Sequence, residues 1–159
     1  MKKQSAGILP YKFIQKQLFF FIAHPGGPFY KKKDNGFWGI VKGEFDDKEE
    51  PLAAAIREFK EETTIAIKGD LIPLTPLKQK SGKLVYVWAI ETDFSTENIK
   101  SNTFIIEWPP KSGKMAEFPE LDKFEWFDVD TTIAKLLPGQ VPFVYELLTH
   151  LRISIPGKK

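Results

Sequence analysis

The chain has no cysteine among its 159 residues. That absence excludes a disulfide scaffold, a thiolate metal site and a cysteine nucleophile. It has only 2 histidines, His24 and His150, too few without thiolates to make a structural zinc site. Long hydrophobic runs are missing too. The longest, residues 18–23 (LFFFIA), is far too short to cross a bilayer. The opening MKKQSAGILPYKF carries two lysines without the apolar stretch of a signal peptide. Neither sign of charge dominates: the net charge of +2 argues against a broad nucleic-acid surface. Together these absences lead us to expect a reducing, cytoplasmic compartment and no membrane partner, with no strong nucleic-acid signal.

What the chain does have is core-forming material. It is 42% hydrophobic and 14% aromatic, with 14 Phe and 4 Trp, enough for one packed core. No repeat, low-complexity tract or linker divides it, so a single domain over 1–159 is expected. Residues 5–11 (SAGILPY) and 17–24 (QLFFFIAH) read as strands joined by a short polar connection at Gln15 and Lys16. Residues 25–36 (PGGPFYKKKDNG) read as a long loop, followed by a short strand-like piece at 37–43 (FWGIVKG). Pro51 suits the first position of a helix reaching about Glu62, on which Leu52, Ala55, Ile56 and Phe59 form one apolar stripe. Strands are predicted near 65–68, 71–77, 83–91, 102–107 and 124–129. Residues 108–123 read as a second long loop, and shorter helices follow near 130–136 and 142–152, separated by LPGQVP. Strands on both sides of one main helix imply an α+β fold, an α/β/α sandwich, and not an all-β barrel.

The chemistry concentrates at the end of the 51–62 helix, which packs Arg57, Glu58, Glu61 and Glu62 into REFKEE. Glu58 shares a helix face with both Glu61 and Glu62. Like charges at that spacing cost a few tenths of a kcal/mol per pair, and acids at a helix C-terminus oppose its dipole by about 0.3–1 kcal/mol each. Arg57 and Lys60 offset part of this cost. A hard divalent cation, Mg²⁺ or Mn²⁺, would offset more. A solvated helix face is the bland reading of the same residues.

The residues in front of the helix decide between the two. Gly43, Glu49 and the run from Arg57 to Ile65 follow the order Gly, five residues, Glu, seven residues, Arg-Glu, an aliphatic or aromatic residue, any residue, Glu-Glu. This pattern resembles the Nudix box of the Nudix hydrolases, with one departure: Thr64 stands where the family has glycine. That glycine follows the helix, where a left-handed C-cap is common, and Thr there is strained by about 1 kcal/mol or more. The position holds no metal ligand, so activity is expected to survive the change.

The resemblance implies a Nudix fold, a mixed β-sheet flanked by helices. It also implies a Mg²⁺- or Mn²⁺-dependent hydrolase that cleaves a pyrophosphate bond in a nucleoside diphosphate-linked or dinucleoside polyphosphate substrate by attack of water at phosphorus. Carried over by position, Glu61 and Glu62 are the principal metal ligands, and Glu58 is a further ligand or the general base. Arg57 orients the glutamates, Gly43 offers its carbonyl to the metal, and Glu49 braces the loop. Family members recruit one more acid from a late loop, for which Glu120 is the first choice and Glu117 the second. Lys42, at the mouth of the box, is the best of the lysines for phosphate, ahead of Lys31 to Lys33, Lys80, Lys83, Lys111 and Lys114. Phe37 and Trp38, with Phe29, Tyr30 and Trp108, are candidates to stack on a base, though core packing explains the first two equally well. The Lys-Gly pair at 42–43 leans toward diadenosine tetraphosphate and diphosphoinositol polyphosphate hydrolases. A non-catalytic Nudix-fold module that binds a nucleotide or a protein is the alternative, and the four retained box carboxylates argue against it. A Nudix-fold isomerase would want the cysteine this chain lacks. His24 reads as a hydrogen-bonded strand-end residue, His150 is assigned nothing, and a homodimer stays open.

Overall fold

Residues 5–11 leave neither face of a strand polar enough for water, and all of them are buried. Such a run suits a central strand covered on both sides. In the computed structural model, which describes residues 4–155, that strand is β1 (Gln4–Ile14). It is followed by β2 (Gln17–Pro25), β3 (Val41–Phe45), α1 (Pro51–Thr63), β4 (Leu71–Pro73), β5 (Leu77–Lys78) and β6 (Leu84–Glu91). The order continues with β7 (Thr103–Glu107), β8 (Met115–Pro119), β9 (Leu121–Asp128), α2 (Val129–Lys135), a 3₁₀ turn (Pro138–Gln140) and α3 (Val141–His150).

One edge of β1 pairs with β6 in parallel, from Gln4 opposite Leu84 to Tyr11 opposite Glu91. The other edge forks. Gln4–Ile8 pairs antiparallel with β3, and Tyr11–Ile14 pairs antiparallel with β2. Pro10, which cannot donate to a ladder, lies at that fork. β2 goes on to pair with β9, β4 and β5 pair with β6, and the whole is one mixed seven-stranded sheet. The hairpin between β1 and β2 turns on Gln15 and Lys16, both left-handed at φ 50° and 68°, the twist a two-residue hairpin favours.

Helices cover both faces. Along β2 the side chains alternate: Phe20 and Ile22 join Leu9, Tyr11 and the α3 residues Phe143, Val144, Leu147 and Leu148. Phe21 and Ala23 join Ala6, Ile8 and the α1 residues Ala54, Ala55 and Phe59. The result is the expected α+β architecture, an α/β/α sandwich. Among the described residues no helix is long and apolar enough to cross a membrane.

Several elements differ from the sequence reading. Residues 65–68 form no strand. The N–H of Ile65 is taken by Thr63 Oγ1 at 3.1 Å, and Ile65 and Ile67 pack on the α1-side core as coil. The predicted strand 71–77 is broken into β4 and β5, because Pro73 and Pro76 interrupt the ladder. The 37–43 piece is a single bridge at each of Trp38 and Gly39, followed by the separate strand β3. The supposed loop 108–123 contains β8, which pairs with β7 as a two-stranded ribbon off the main sheet, and the first residues of β9.

Candidate active site

The fork in the sheet builds the site. β3 lies beside the start of β1, and α1 then runs back across both strands, so the end of α1 stands over Gly43. The contact is close: a Cβ at Gly43 would overlap the Glu58 carboxylate. Any larger residue here would force the Glu58 side chain out of its place.

Arg57 sits at the centre of the glutamates. Its Nε and Nη2 each donate to a different oxygen of Glu49 at 2.8 Å, a bidentate pair across the loop before the helix. Its Nη1 donates to Glu58 Oε1 at 2.8 Å and to Glu61 Oε2 at 3.1 Å. The three carboxylates hold the guanidinium firmly charged, Glu49 most of all, and Arg57 in turn lowers the pKa of Glu49.

Glu62 has a different environment. By sequence, the stripe of Leu52, Ala55, Ile56 and Phe59 places no acid among the buried residues. Instead, the buried face of α1 comprises Ala54, Ala55, Phe59, Glu62 and Thr63, and Glu62 is only 4% exposed. Two alanines let the helix settle close to the sheet and carry Glu62 inward. Leu52 and Ile56 are half-buried. Burial raises the pKa of Glu62 to about 8, helped by a hydrogen bond to Glu120 and by the charges of Glu120, Glu58 and Glu61. Burial likewise raises the pKa of Glu58, against the pull of Arg57. Glu120 reaches this cluster because its backbone is pinned on both sides: its N–H donates to Asn102 O, and its C=O accepts from Gly26 N–H, each at 2.8 Å.

These residues border a cavity of about 320 Å³ lined by Glu62, Glu120, Lys42, Tyr30, Phe37, Gly39, Ile40, Leu137 and Gln140, among others. Lys42 is half-buried, and burial lowers its pKa, with the charge of Lys83 adding to the effect. Tyr30 and Phe37 stand with ring centroids 6.3 Å apart, tilted at 52°.

Trp38 and Glu117 lie elsewhere. Trp38 is 3% exposed, packs edge-on against His24 and Phe127, and donates its indole N–H to Asp34 Oδ1 at 2.7 Å. Its large ring fills core space between β2 and α2, and it does not border the cavity. Glu117 points out of the ribbon and accepts from Thr103 Oγ1 at 2.7 Å. Phe29 and Trp108 pair with each other, centroids 5.3 Å apart, outside this cavity. Gln140 and Leu137 were missed by the sequence reading, where LPGQVP signalled only a break between helices. His24 is buried, with Nδ1 2.6 Å from Asp122 Oδ1 and Nε2 donating to Lys33 O at 2.6 Å, which ties the 25–36 loop to β9.

Thr64 adopts the left-handed conformation, φ 67° and ψ 6°, and its N–H caps the helix through Lys60 O. The helix therefore ends as one with glycine there would, and the protein bears the strain.

The donor set suits a hard divalent cation. It is all oxygen, with negative charge gathered beyond what Arg57 balances and a backbone cleared at Gly43. Among the described residues no three acids are drawn together into a metal-holding group; Arg57 engages Glu58 and Glu61.

A model of the NUDIX domain matches residues 1–148. Among solved structures, the NUDIX domain of Shewanella oneidensis NrtR complexed with ADP-ribose superimposes with a TM-score of 0.65 at 11% identity, over 95% of this chain and 89% of that one. A Caenorhabditis elegans Ap4A hydrolase in a binary complex does so with a TM-score of 0.62 at 19% identity, over 94% and 97%. An octanoyltransferase of Myxococcus xanthus is 31% identical over 101 residues, which is 64% of this chain but only 25% of that protein.

Proposed function

The chain belongs to the NUDIX family, and from that premise we propose that it is a single-domain, cytoplasmic pyrophosphohydrolase dependent on Mg²⁺ or Mn²⁺. Its substrate is a nucleoside diphosphate-linked compound or a dinucleoside polyphosphate, and water attacks at phosphorus. The observation that carries this reading is Glu62: a buried carboxylate, hydrogen-bonded to Glu120, crowded by Glu58 and Glu61, and open to a cavity of nucleoside size.

Glu58, Glu61, Glu62, Glu120 and the carbonyl of Gly43 are the groups that would hold the cation. When bound, it neutralises diphosphate charge and makes water more acidic. Glu58 Oε1 is held by Arg57, which leaves Oε2 to take a proton from the attacking water. The raised pKa of Glu58 makes it a better base for that purpose. Arg57 is a positioning residue: its fork to Glu49, Glu58 and Glu61 sets the angles of the carboxylates on α1. Lys42 supplies positive charge to the diphosphate from the cavity wall. The likeness to an Ap4A hydrolase joins the Lys42-Gly43 pair in favouring a dinucleoside polyphosphate. The ADP-ribose bound by a NUDIX domain of the same fold favours the second reading, a binding module without catalysis.

The test is product release from a panel of dinucleoside polyphosphates, nucleotide sugars, ADP-ribose and nucleoside triphosphates, with Mg²⁺ or Mn²⁺. Wild-type protein is expected to cleave one class preferentially, and Glu61→Gln to lose at least about 100-fold in turnover. Cleavage of none, or equal rates in Glu61→Gln, would remove the hydrolase reading.

A further inference from the structure

A second cavity, of about 510 Å³, lies across the Glu120 strut from the first. Pro119 borders the second cavity, while Glu120 and Leu121 border the first. Along the 25–36 loop, Tyr30 borders the first and Lys31 the second. The two spaces therefore adjoin at two separate segments. The second is walled by the β7–β8 ribbon, which gives Trp108 and Phe118, and by the loop after β2, which gives Gly27, Pro28 and Lys31. Loop and ribbon are locked together. Gly26 N–H donates to Glu120 O at 2.8 Å, and Gly27, at φ 94°, brings the loop so close that a Cβ there would stand 2.8 Å from Phe104 Cζ.

The hydrolytic machinery uses none of these groups, and together they describe a ligand. Trp108 is half-buried. Phe29 stands edge-on to it, centroids 5.3 Å apart at 78°, which steadies the indole without laying a parallel ring over it. The indole N–H groups of Trp38 and Trp126 donate to Asp34 and to Phe94 O, whereas among the described residues that of Trp108 has no acceptor. The flanking charge is positive. Lys31 and Lys32 on the loop, and Lys111 and Lys114 at the ribbon tip, form no ion pair among the described residues. The acid on the wall, Asp122, has its Oδ1 2.6 Å from His24 Nδ1. A flat aromatic group joined to phosphate suits this chemistry: the base faces indole and phenyl, and ammonium groups meet the charge. The space has room for one nucleoside. A sugar without a base would leave Trp108 unused.

We propose that this second cavity holds the distal nucleoside of a dinucleoside polyphosphate, its base against Trp108 and its phosphate beside Lys31, while the polyphosphate chain passes Glu120 to the carboxylate site. The second aromatic end is then what selects dinucleoside polyphosphates over nucleotide sugars and nucleoside triphosphates. The inference rests on the hydrolase reading for the chemistry at phosphorus, but not for binding.

The probes are diadenosine tetraphosphate and adenosine 5′-tetraphosphate, which lacks the second nucleoside. Two readouts decide the matter: kcat/KM with Mg²⁺, and calorimetric affinity measured in the Glu61→Gln background, where turnover does not consume the ligand. The unaltered cavity is expected to favour the dinucleoside compound in both. Trp108→Ala should lower that preference about tenfold or more, chiefly through KM, as for the loss of one base–aromatic stack. Trp108→Phe keeps a ring and should retain most of it. Lys31→Ala changes an exposed side chain, should lower the preference severalfold, and carries the test if Trp108→Ala melts early. No preference in the wild type, or the same preference in Trp108→Ala and Lys31→Ala, would overturn the proposal, while cleavage that Glu61→Gln abolishes would keep the hydrolase reading. A protein that cleaves neither compound yet binds the dinucleoside one through Trp108 would keep the proposal and count against the hydrolase. One that binds neither would remove the proposal and leave the hydrolase reading to the wider panel.

Discussion

The two ends of the carboxylate cluster are held by opposite means. Glu49, Glu58 and Glu61 share one guanidinium through direct hydrogen bonds, and Arg57 is 38% exposed. Glu62 and Glu120 share no cation. Burial holds Glu62, a pinned backbone holds the exposed Glu120 beside it, and a hydrogen bond joins the two. One end is already neutralised by Arg57, while at the other burial and the neighbouring carboxylates keep a proton on Glu62 up to about pH 8. That asymmetry suits a cation site: fixed ligands on one side, and on the other an acid that a cation would help to ionise.

Breaking each end separately should give opposite results in the metal-free protein. Above about pH 8, where Glu62 has lost its proton, Glu62→Gln removes repulsion and is expected to raise the melting temperature, while cutting turnover by orders of magnitude. Arg57→Lys loses the bidentate fork and is expected to lower the melting temperature and reduce turnover by about 10–100-fold, as for partners that orient ligands. Two variants moving in the same thermal direction would dissolve the distinction.

A milder probe is pH. The folded pKa of Glu62, about 8, lies above its ordinary 4.5, so between those values the folded state holds a proton that the unfolded chain has released. Stability from this group is full below pH 4.5, falls as pH rises, and is gone above about 8. Denaturant unfolding of metal-free protein from pH 5 to 9 should show this decline, and saturating Mg²⁺ or the Glu62→Gln variant should flatten it. A flat metal-free profile would mean that Glu62 is not crowded.

The smallest effect concerns the helix that both ends ride on. Thr64→Gly relieves left-handed strain and is expected to stabilise by up to about 1 kcal/mol, less what glycine adds to unfolded-chain freedom. Turnover should not move, because Thr64 touches neither end. A fall in melting temperature would show that Thr64 Oγ1, which donates to Thr63 O, matters more than the backbone.

Local signals explain which elements could be read from the sequence. β1, β2, α1 and the late helices announce themselves by apolar period and by Pro and Gly at their ends. β8 does not: Met115–Pro119 lies among prolines and lysines, and becomes a strand only because β7 pairs with it. The stretch 65–68 has strand-like residues, but Ile65 and Ile67 pack on the α1-side core as coil and join no ladder. Trp38 shows the same limit on the functional side, since an aromatic at a loop edge reads alike whether it faces a ligand or the core.

The sequence by itself determined the carboxylate helix, the charge it carries, the glycine beneath Glu58 and the family. All of these lie within one contiguous stretch whose spacing is set by the helical repeat. Only the tertiary structure decided that Glu62 is the buried member, that Glu120 and not Glu117 comes to meet it, and that Gln140 borders the same cavity. These relations join β2, β3, α1, the start of β9 and the turn before α3, and distance along the chain carries no record of them. They arise when the forked sheet and its two helix layers close, because burial of apolar surface is indifferent to which polar groups it brings together.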